Sequence, residues 1–534
     1  MAQVGDNRKQ AGRERSRNIF RAFLASSTGT AVSRVLGAVR DITIANLLGA
    51  GSGSDAFWIA FTVPNVFRRF VADEGLTGAL IPALSKAEKE ENTQSARKLA
   101  NSTLTALLLA NILLCALGLW KADLLVKAFA YGFIQEPAKF ELTVTLTRWL
   151  FPFLFFVSLV SFLEGLLNQR NHFFIPKLAP GIVSASIAVS AILLAGKFEK
   201  PEYALVAGVL AGGLLHLIVT SVPTLMLWGK LALSFTFSSG RFKSLLKEMG
   251  KVLLIGLLAQ VNIIVLRQLA SLLGDGAVTR YWYANRLVDL AQGIVAVGIS
   301  SALLPSASAS VAEGDEEGMK HGLSYSFRLA SFLLLPAATI IAVFAEPISS
   351  ILFRHGRYSV EDVRWTASTL RLLAPFLLSV AGINIIKKIY FAIEDRNTLL
   401  LIGGLGVILT GILGWFLIGP YNILGLAGAL SLSSIVQFGA YLWLLHKKLD
   451  TGIGLLPILI PLGKMIAACL PPAVLLYLLS FLGDWTLGPM SLKNLAIIGC
   501  GLPLAGMLYL FFSRILGLAE AKSLLAKVGV KNAR

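Results

Sequence analysis

The chain has 534 residues, of which 55% are hydrophobic and 15% charged, with a mean hydropathy of +0.72. Soluble domains carry about 25% charged residues, so this composition excludes a disordered chain, a collagen and a disulfide scaffold, and argues against a soluble enzyme. The net charge of +18 would suit nucleic acid, but most Lys and Arg lie between long apolar blocks, as topology signals do, and no nucleic-acid partner is expected.

In chain order, Met1–Arg21 is polar and basic and lacks the short apolar core of a signal peptide. It is expected in the cytoplasm. About fourteen apolar segments of helix length follow, by the roughly 20-residue criterion. They fall at 22–49, 56–84, 98–120, 142–168, 177–196, 203–228, 247–273, 278–308, 323–347, 364–390, 398–418, 422–446, 461–482 and 491–514. The fold class is therefore an all-α polytopic membrane protein. Ala122–Lys139 and Leu231–Lys247 mix apolar and basic residues and read as helices lying in the membrane interface. Connections after even-numbered spans hold Lys86, Lys89, Arg97 and Lys98, then Arg170 and Lys177, then Lys230, Arg241, Lys243 and Lys247. The opposite connections are poorer in positive charge. The bias places both termini in the cytoplasm.

Ionisable residues within spans cost about 2.5–3.5 kcal/mol each near the centre on insertion scales. The first span nevertheless carries Arg34, Arg40 and Asp41, the second Arg68, Arg69, Asp73 and Glu74, the seventh Arg267, and the eighth Arg280, Arg286 and Asp289. Arg34 and Asp41, seven apart, share a helix face, while Arg40 points about 120° away at about 100° per residue. Arg69, Arg280, Lys387 and Lys388 read as span-end residues that snorkel to the headgroups. Arg34, Arg40, Arg68 and Arg286 are too concentrated for that and could line a common cationic cavity. Arg suits bidentate phosphate binding, so an anionic substrate follows, a phosphate or pyrophosphate. Cys115, Cys469 and Cys500 lie in apolar blocks without CxxC spacing, and the five histidines show no HExxH. No metal site and no cofactor are expected.

A repeat runs through the chain. Ala45-Asn-Leu-Leu-Gly-Ala-Gly51 matches Ala270-Ser-Leu-Leu-Gly-Asp-Gly276; Ala79-Leu-Ile-Pro-Ala-Leu-Ser85 matches Ala302-Leu-Leu-Pro-Ser-Ala-Ser308; Pro152 matches Pro375, and Arg170-Asn171 matches Arg396-Asn397. The offsets lie near 225 residues, about six spans. Six is even, so the two copies share an orientation, as in parallel-repeat transporters. The organisation expected is a basic N-terminus at 1–21, a six-helix lobe at 22–228, an amphipathic cytoplasmic linker at 229–246, a second six-helix lobe at 247–450, and two extra helices with a basic tail at 451–534.

Ser33-Arg-Val-Leu-Gly-Ala-Val-Arg-Asp41 resembles the first-helix signature of the MurJ/MviN family of bacterial lipid II flippases. Ser54-Asp-Ala-Phe57, Val63-Pro-Asn-Val-Phe-Arg-Arg69, Glu74-Gly75 and Ile81-Pro82 resemble its second-helix region. Tyr283-Ala-Asn-Arg-Leu287 with Leu304-Pro305, and Gly165-Leu-Leu-Asn168 with Phe173 and Pro176, fit as well. The resemblance covers about residues 20–520. It implies the multidrug/oligosaccharidyl-lipid/polysaccharide exporter fold, with two C-terminal helices forming a groove for a prenyl tail. It implies a transporter, not an enzyme, that moves lipid II from the inner to the outer leaflet of the cytoplasmic membrane. The family's cavity arginines carry over onto Arg34, Arg40, Arg68 and Arg286, and Asp41, Asp55 and Ser33 match further positions that matter in the family. Lipid II and membrane lipids are the partners implied, with cell-wall synthesis proteins as further candidates. Two departures stand out. Asn285 replaces an acidic residue of some relatives, and 251–271 has no Asp or Glu where some members hold sodium, Arg267 lying near that place. The competing readings are an exporter of another polyprenyl-linked saccharide and a drug/ion antiporter of the same superfamily. A polyprenyl-phosphate glycosyltransferase would need a larger loop than the roughly twenty residues available.

Overall fold

The computed structural model describes residues 28–70, 75–293, 315–449, 454 and 456–522. The basic segment 1–21, Asp73 and Glu74, the second proline motif Ala302–Ser308 with Pro305, and the tail beyond 522 lie outside the described residues. No strand occurs among the described residues.

In chain order the helices are α1 (28–48), α2 (Ser52–Arg68), α3 (Gly75–Glu90), α4 (Thr93–Trp120), α5 (Ala122–Phe129), α6 (Pro137–Leu150), α7 (Phe153–Gln169), α8 (Phe174–Leu178), α9 (Pro180–Leu194) and α10 (Pro201–Trp228). They continue as α11 (Gly240–Ser271), α12 (277–293), α13 (Glu316–Val343), α14 (Ala345–Phe353), α15 (Val360–Ala392), α16 (Arg396–Lys448), α17 (Leu456–Leu482) and α18 (Leu492–Ile515). Local chemistry sets many of the starts. Pro137, Pro180 and Pro201 occupy first-turn positions that need no amide donor. Side chains of Asn92, Asp315, Asp395 and Ser491 accept from amides three residues on, and Ser359 with Asp362 makes a reciprocal cap.

A helix lies on each of the fourteen expected spans. Eight described helices are long and apolar enough to cross a membrane, and α6 with α7 makes another span bent by 41°. The bend falls at Phe151-Pro152, where proline removes an amide donor. α16 holds two expected spans: its 53 residues break at Asn422 (φ 53°), two residues after Pro420. The four remaining expected spans, α1, α2–α3, α11 and α12, are not among these; they hold Arg34, Arg40, Asp41, Arg68, Arg267, Arg280, Arg286 and Asp289.

The expected surface helix over Leu231–Lys247 is corrected. Residues 229–236 have no regular secondary structure, and only Gly240 onward is helical, as the start of α11. Polar side chains of α4 hold this strap: Arg97 donates to the Lys230 carbonyl, Asn101 Oδ1 accepts from Ala232 N at 3.1 Å, and Thr105 Oγ1 accepts from Ser234 N at 2.8 Å. These bonds satisfy backbone groups that a helix would have paired internally. Leu231-Ala-Leu-Ser-Phe-Thr-Phe-Ser alternates apolar with small residues, a period of two.

The chain forms two compact units. The first takes in the described residues up to Leu48 and those from Ala56 to Gln260; the second takes in Gly49–Asp55 and those from Val261 onward. In the first, α9 and α10 pack closely at Gly208 and Gly212, where an added Cβ would lie 2.7 Å from Ile187 Cα and 2.8 Å from Val183 Cα. Such small residues, four apart, let membrane helices approach. In the second, α17 and α18 pack on α13 and α14 through Met465, Ala468, Tyr509 and Phe332, and through Leu476, Ala505 and Phe344.

Candidate functional site

The candidate residues divide between the two units. In the first, α1 presents Ser33, Arg34, Arg40 and Asp41. Ser33 sits where α1 meets α9: a Cβ on Gly181 would stand 3.1 Å from Ser33 Cα. Arg34 is half-buried. Arg40 and Asp41 are buried, and Arg40 Nε and Nη2 donate to Asp41 Oδ1 at 2.9 and 2.6 Å. Asp41 is thus paired with its neighbour, although the helical wheel puts it on the Arg34 face. A wheel gives Cβ directions only, and the long Arg40 side chain bends back. The Arg40 guanidinium also stands 5.7 Å from the Trp58 ring centroid. Trp58 belongs to an aromatic cluster on α2 with Phe57 and Phe61, which meets Phe153 of α7. Arg68 ends α2 half-buried, and Arg69 is exposed in the turn that follows. Arg40 uses two of a guanidinium's five donors on Asp41, so the arrangement can still hold a second oxyanion.

In the second unit, Asp55 is fully buried. Its carboxylate accepts from Gly276 N at 2.8 Å, Thr279 N at 2.9 Å and Thr279 Oγ1 at 2.7 Å. It therefore caps α12, the helix that carries Arg286, from a distant part of the chain. A buried anion at a helix N-terminus matches both the orphan amides and the helix dipole. The two copies of the glycine motif meet here. A Cβ on Gly276 (φ +82°) would stand 2.6 Å from the Ala50 carbonyl oxygen, and Ser52 Oγ donates to Asp275 at 2.7 Å. Arg286 is half-buried in the middle of α12. Along the same helix, Tyr283 stacks on Phe353 at 4.6 Å. Arg267 of α11 lies buried over Trp282 at 4.6 Å, so a cation is already built in near where the resemblance would look for an acid.

Sequence reasoning did not foresee the partner of Arg280, which lies in the first turn of α12. Its Nη2 pairs with Asp362 Oδ1 of α15 at 2.7 Å, leaving 20% of the side chain exposed. It also missed an ion network at the ends of α3, α7 and α10. There Arg170 Nη2 meets Glu88 Oε1 at 2.9 Å, Gln169 Nε2 donates to Glu88 Oε2 at 2.9 Å, and the Arg170 guanidinium stands 4.9 Å from the Trp228 ring. Partial burial pushes the Glu88 carboxyl up, but the bonds from Gln169 and Arg170 and the Arg170 charge outweigh it and hold it below the usual glutamate value. The repeated Arg170-Asn171 was the one signal available for it. Lys448 likewise pairs with Asp395, and burial opposed by that bond leaves Asp395 below the usual range.

A family profile described as "Lipid II flippase MurJ" matches residues 44–496. The "Lipid II flippase MurJ" of Burkholderia cenocepacia is 31% identical over 389 residues, covering 71% of this chain and 75% of that protein. A "Probable lipid II flippase MurJ" of Buchnera aphidicola is 28% identical over 502 residues, 94% of this chain and 98% of its own. Among solved structures, "Lipid II flippase MurJ, inward closed conformation" superposes with TM-score 0.76 at 21% identity, covering 92% of this chain and 98% of that one. An inward-facing "multidrug resistance MATE family transporter of the MOP superfamily" superposes with TM-score 0.64 at 16% identity, covering 79% and 97%.

Proposed function

The chain belongs to the MurJ family of lipid II flippases, and from that membership we propose that it moves lipid II from the inner to the outer leaflet of the cytoplasmic membrane by alternating access. In this reading Arg34, Arg40, Arg68 and Arg286 bind the pyrophosphate while the prenyl tail stays in lipid. Ser33 and Asp41 shape the α1 side of the site. Asp55 acts by holding the first turn of α12, and so the position of Arg286. Both termini face the cytoplasm. α17 and α18, which lie outside the repeat, serve the prenyl tail.

The observation that carries the reading is Arg40: a guanidinium 7% exposed inside a membrane helix, with a carboxylate beside it and an indole against it. A charge kept at such depth marks a functional position, and guanidinium suits phosphate geometry. Inside-negative potential acts on any charge moved through the cycle, about 2.3 kcal/mol per charge per 100 mV.

The test is outer-leaflet exposure of lipid II in cells depleted of their own flippase and supplied with this protein, read by an external lipid II-cleaving toxin. The wild type is expected to restore cleavage. Arg34→Ala, Arg40→Ala, Arg68→Ala and Arg286→Ala, at equal membrane levels, are expected to lose most of it. Restoration by every variant would remove the arginines from the site; failure of a folded wild type would point to another lipid-linked saccharide.

A further inference from the structure

One ionisable pair in the first unit takes no part in the arginine site. Glu164 of α7 and His216 of α10 approach with Oε1 and Nε2 3.5 Å apart. α10 is long and apolar enough to span a membrane, and α7 is the second half of the bent pair. His216 is 3% exposed. Neither ring nitrogen has a hydrogen-bond partner among the described residues, and Glu164 Oε1 has none either. Of the five histidines, His172, His321 and His446 are exposed and His355 lies in the turn after α14, so His216 is the one buried within a span.

Buried polar atoms nearly always find partners. A histidine kept only for packing would hold a carbonyl or hydroxyl; this ring holds neither. What it faces is a carboxylate oxygen, just beyond hydrogen-bond geometry. A neutral ring carries one N–H; one added proton makes both nitrogens donors and supplies the charge that complements Glu164. Glu164 keeps 23% of its side chain exposed, so the pair has one sealed end and one accessible end.

We propose that Glu164 and His216 form a proton-binding site whose occupancy is linked to the transport cycle. The proton arrives from water at the accessible side of Glu164 and forms an N–H bond on His216 Nε2, which then donates to Glu164 Oε1. Release returns the proton to water, leaving a neutral imidazole beside the carboxylate. Intramembrane Glu and His are the side chains that serve as proton relays, and histidine changes charge between pH 5 and 8.

Among the described residues no other charge forms an ion pair with the two. α9, packed on α10, has no ionisable residue from Pro180 to Leu194. On α3, Leu80 stands opposite Gly165, and the ionisable residues begin a turn and a half further on at Lys86, followed by Glu88 bound to Arg170. α4 offers Arg97 and Lys98 in its first two turns, and Arg97 holds the strap. α6 offers Lys139, paired with Glu136, then Glu141 and an exposed Arg148, and α8 offers Lys177. None of these makes an ion pair with Glu164 or His216 among the described residues.

The linkage rests on the flippase reading; the proton site does not, and two measurements separate them. In the first, the purified full chain labelled with 15N-histidine is followed by NMR between about pH 5 and 8. One ring signal, absent from His216→Gln, is expected to change with pH, on a different course in Glu164→Gln. A His216 signal that stays constant, or follows the same course without Glu164, overturns the site. In the second, lipid II flipping is measured in proteoliposomes over the same range. A single linked proton permits up to about tenfold per pH unit, and the wild-type rate is expected to change by about threefold or more. Both variants are expected to flip lipid II with a flat profile. A flat wild type, or variants that keep the wild-type profile, overturns the linkage. Normal titration of His216 in a protein that flips no lipid II overturns the flippase reading and the linkage together, while the proton site stands.

Discussion

Asp55 accepts three hydrogen bonds from the residues that open α12, two from amides and one from the Thr279 hydroxyl. Hydrogen bonds to an ionised group contribute about 1.5–3 kcal/mol. Asp55→Ala is therefore expected to destabilise the protein by about 2–3 kcal/mol and to lose flipping with it. Asp55→Asn should fall between, because its amide oxygen still accepts while its NH2 meets donors. Melting temperature and lipid II exposure measured on the same variants decide this. An Asp55→Ala protein that melts like the wild type yet exposes no lipid II would make Asp55 a substrate contact instead. The sequence marks Asp55 as important through its motif, but its role was not legible there. Its partners lie 221 and 224 residues away, and no spacing rule reaches so far. The same holds for Glu164 and His216, single ionisable residues in apolar runs that mean little until α7 and α10 are seen side by side. Arg34, Arg40, Arg68 and Arg286 stand out in the sequence because several arginines are concentrated in three spans, and their binding role is the proposal made above.

α3, α7 and α10 are tied at one end by Glu88, Gln169, Arg170 and Trp228. Trp228 Nε1 donates to the Leu166 carbonyl at 3.1 Å and gives Arg170 its aromatic face. Glu88 titrates below the usual glutamate value in the folded protein. Its contribution is therefore fully present above the unfolded value of about 4.3 and is lost as pH falls through the lower folded value. Arg170→Gln is expected to lower the melting temperature at neutral pH, and the gap to the wild type should close towards about pH 3. A gap that persists at that pH would mean Arg170 works through its stacking on Trp228 instead. Most helices were legible from apolar length, which also separated the two spans that meet at Asn422 within α16. The strap at 229–236 was not, because a helix-length window averages away an alternation only eight residues long, and because its hydrogen-bond partners sit on α4.

Within each unit, connections expected on one side of the membrane touch one another. In the first unit, the poly-basic connections touch one another: Arg241 meets Glu91 at 2.6 Å, Arg97 meets the strap, and Arg170 meets Glu88. In the second, the poorly charged connections touch. A Cβ on Gly49 would stand 2.6 Å from the Arg357 carbonyl oxygen, Arg354 Nε donates to the Thr486 carbonyl at 3.1 Å, and Ser52 meets Asp275. At the other end of that unit, Lys448 pairs with Asp395, and Glu520 of the tail pairs with Arg328 Nη2 at 2.7 Å. These pairings rest on side-chain chemistry, independent of the Lys and Arg count that set the expectation. In the orientation expected from the charge bias, the α17–α18 connection lies outside and the strap inside. With Cys115, Cys469 and Cys500 replaced by alanine, a membrane-impermeant maleimide is expected to label Thr486→Cys in intact spheroplasts. Ser238→Cys, exposed in the turn before α11, is expected to react only after permeabilisation. The opposite pattern would invert the molecule in the membrane. The poly-basic connections would then lie outside, and the direction of the proposed lipid II movement would have to be argued afresh.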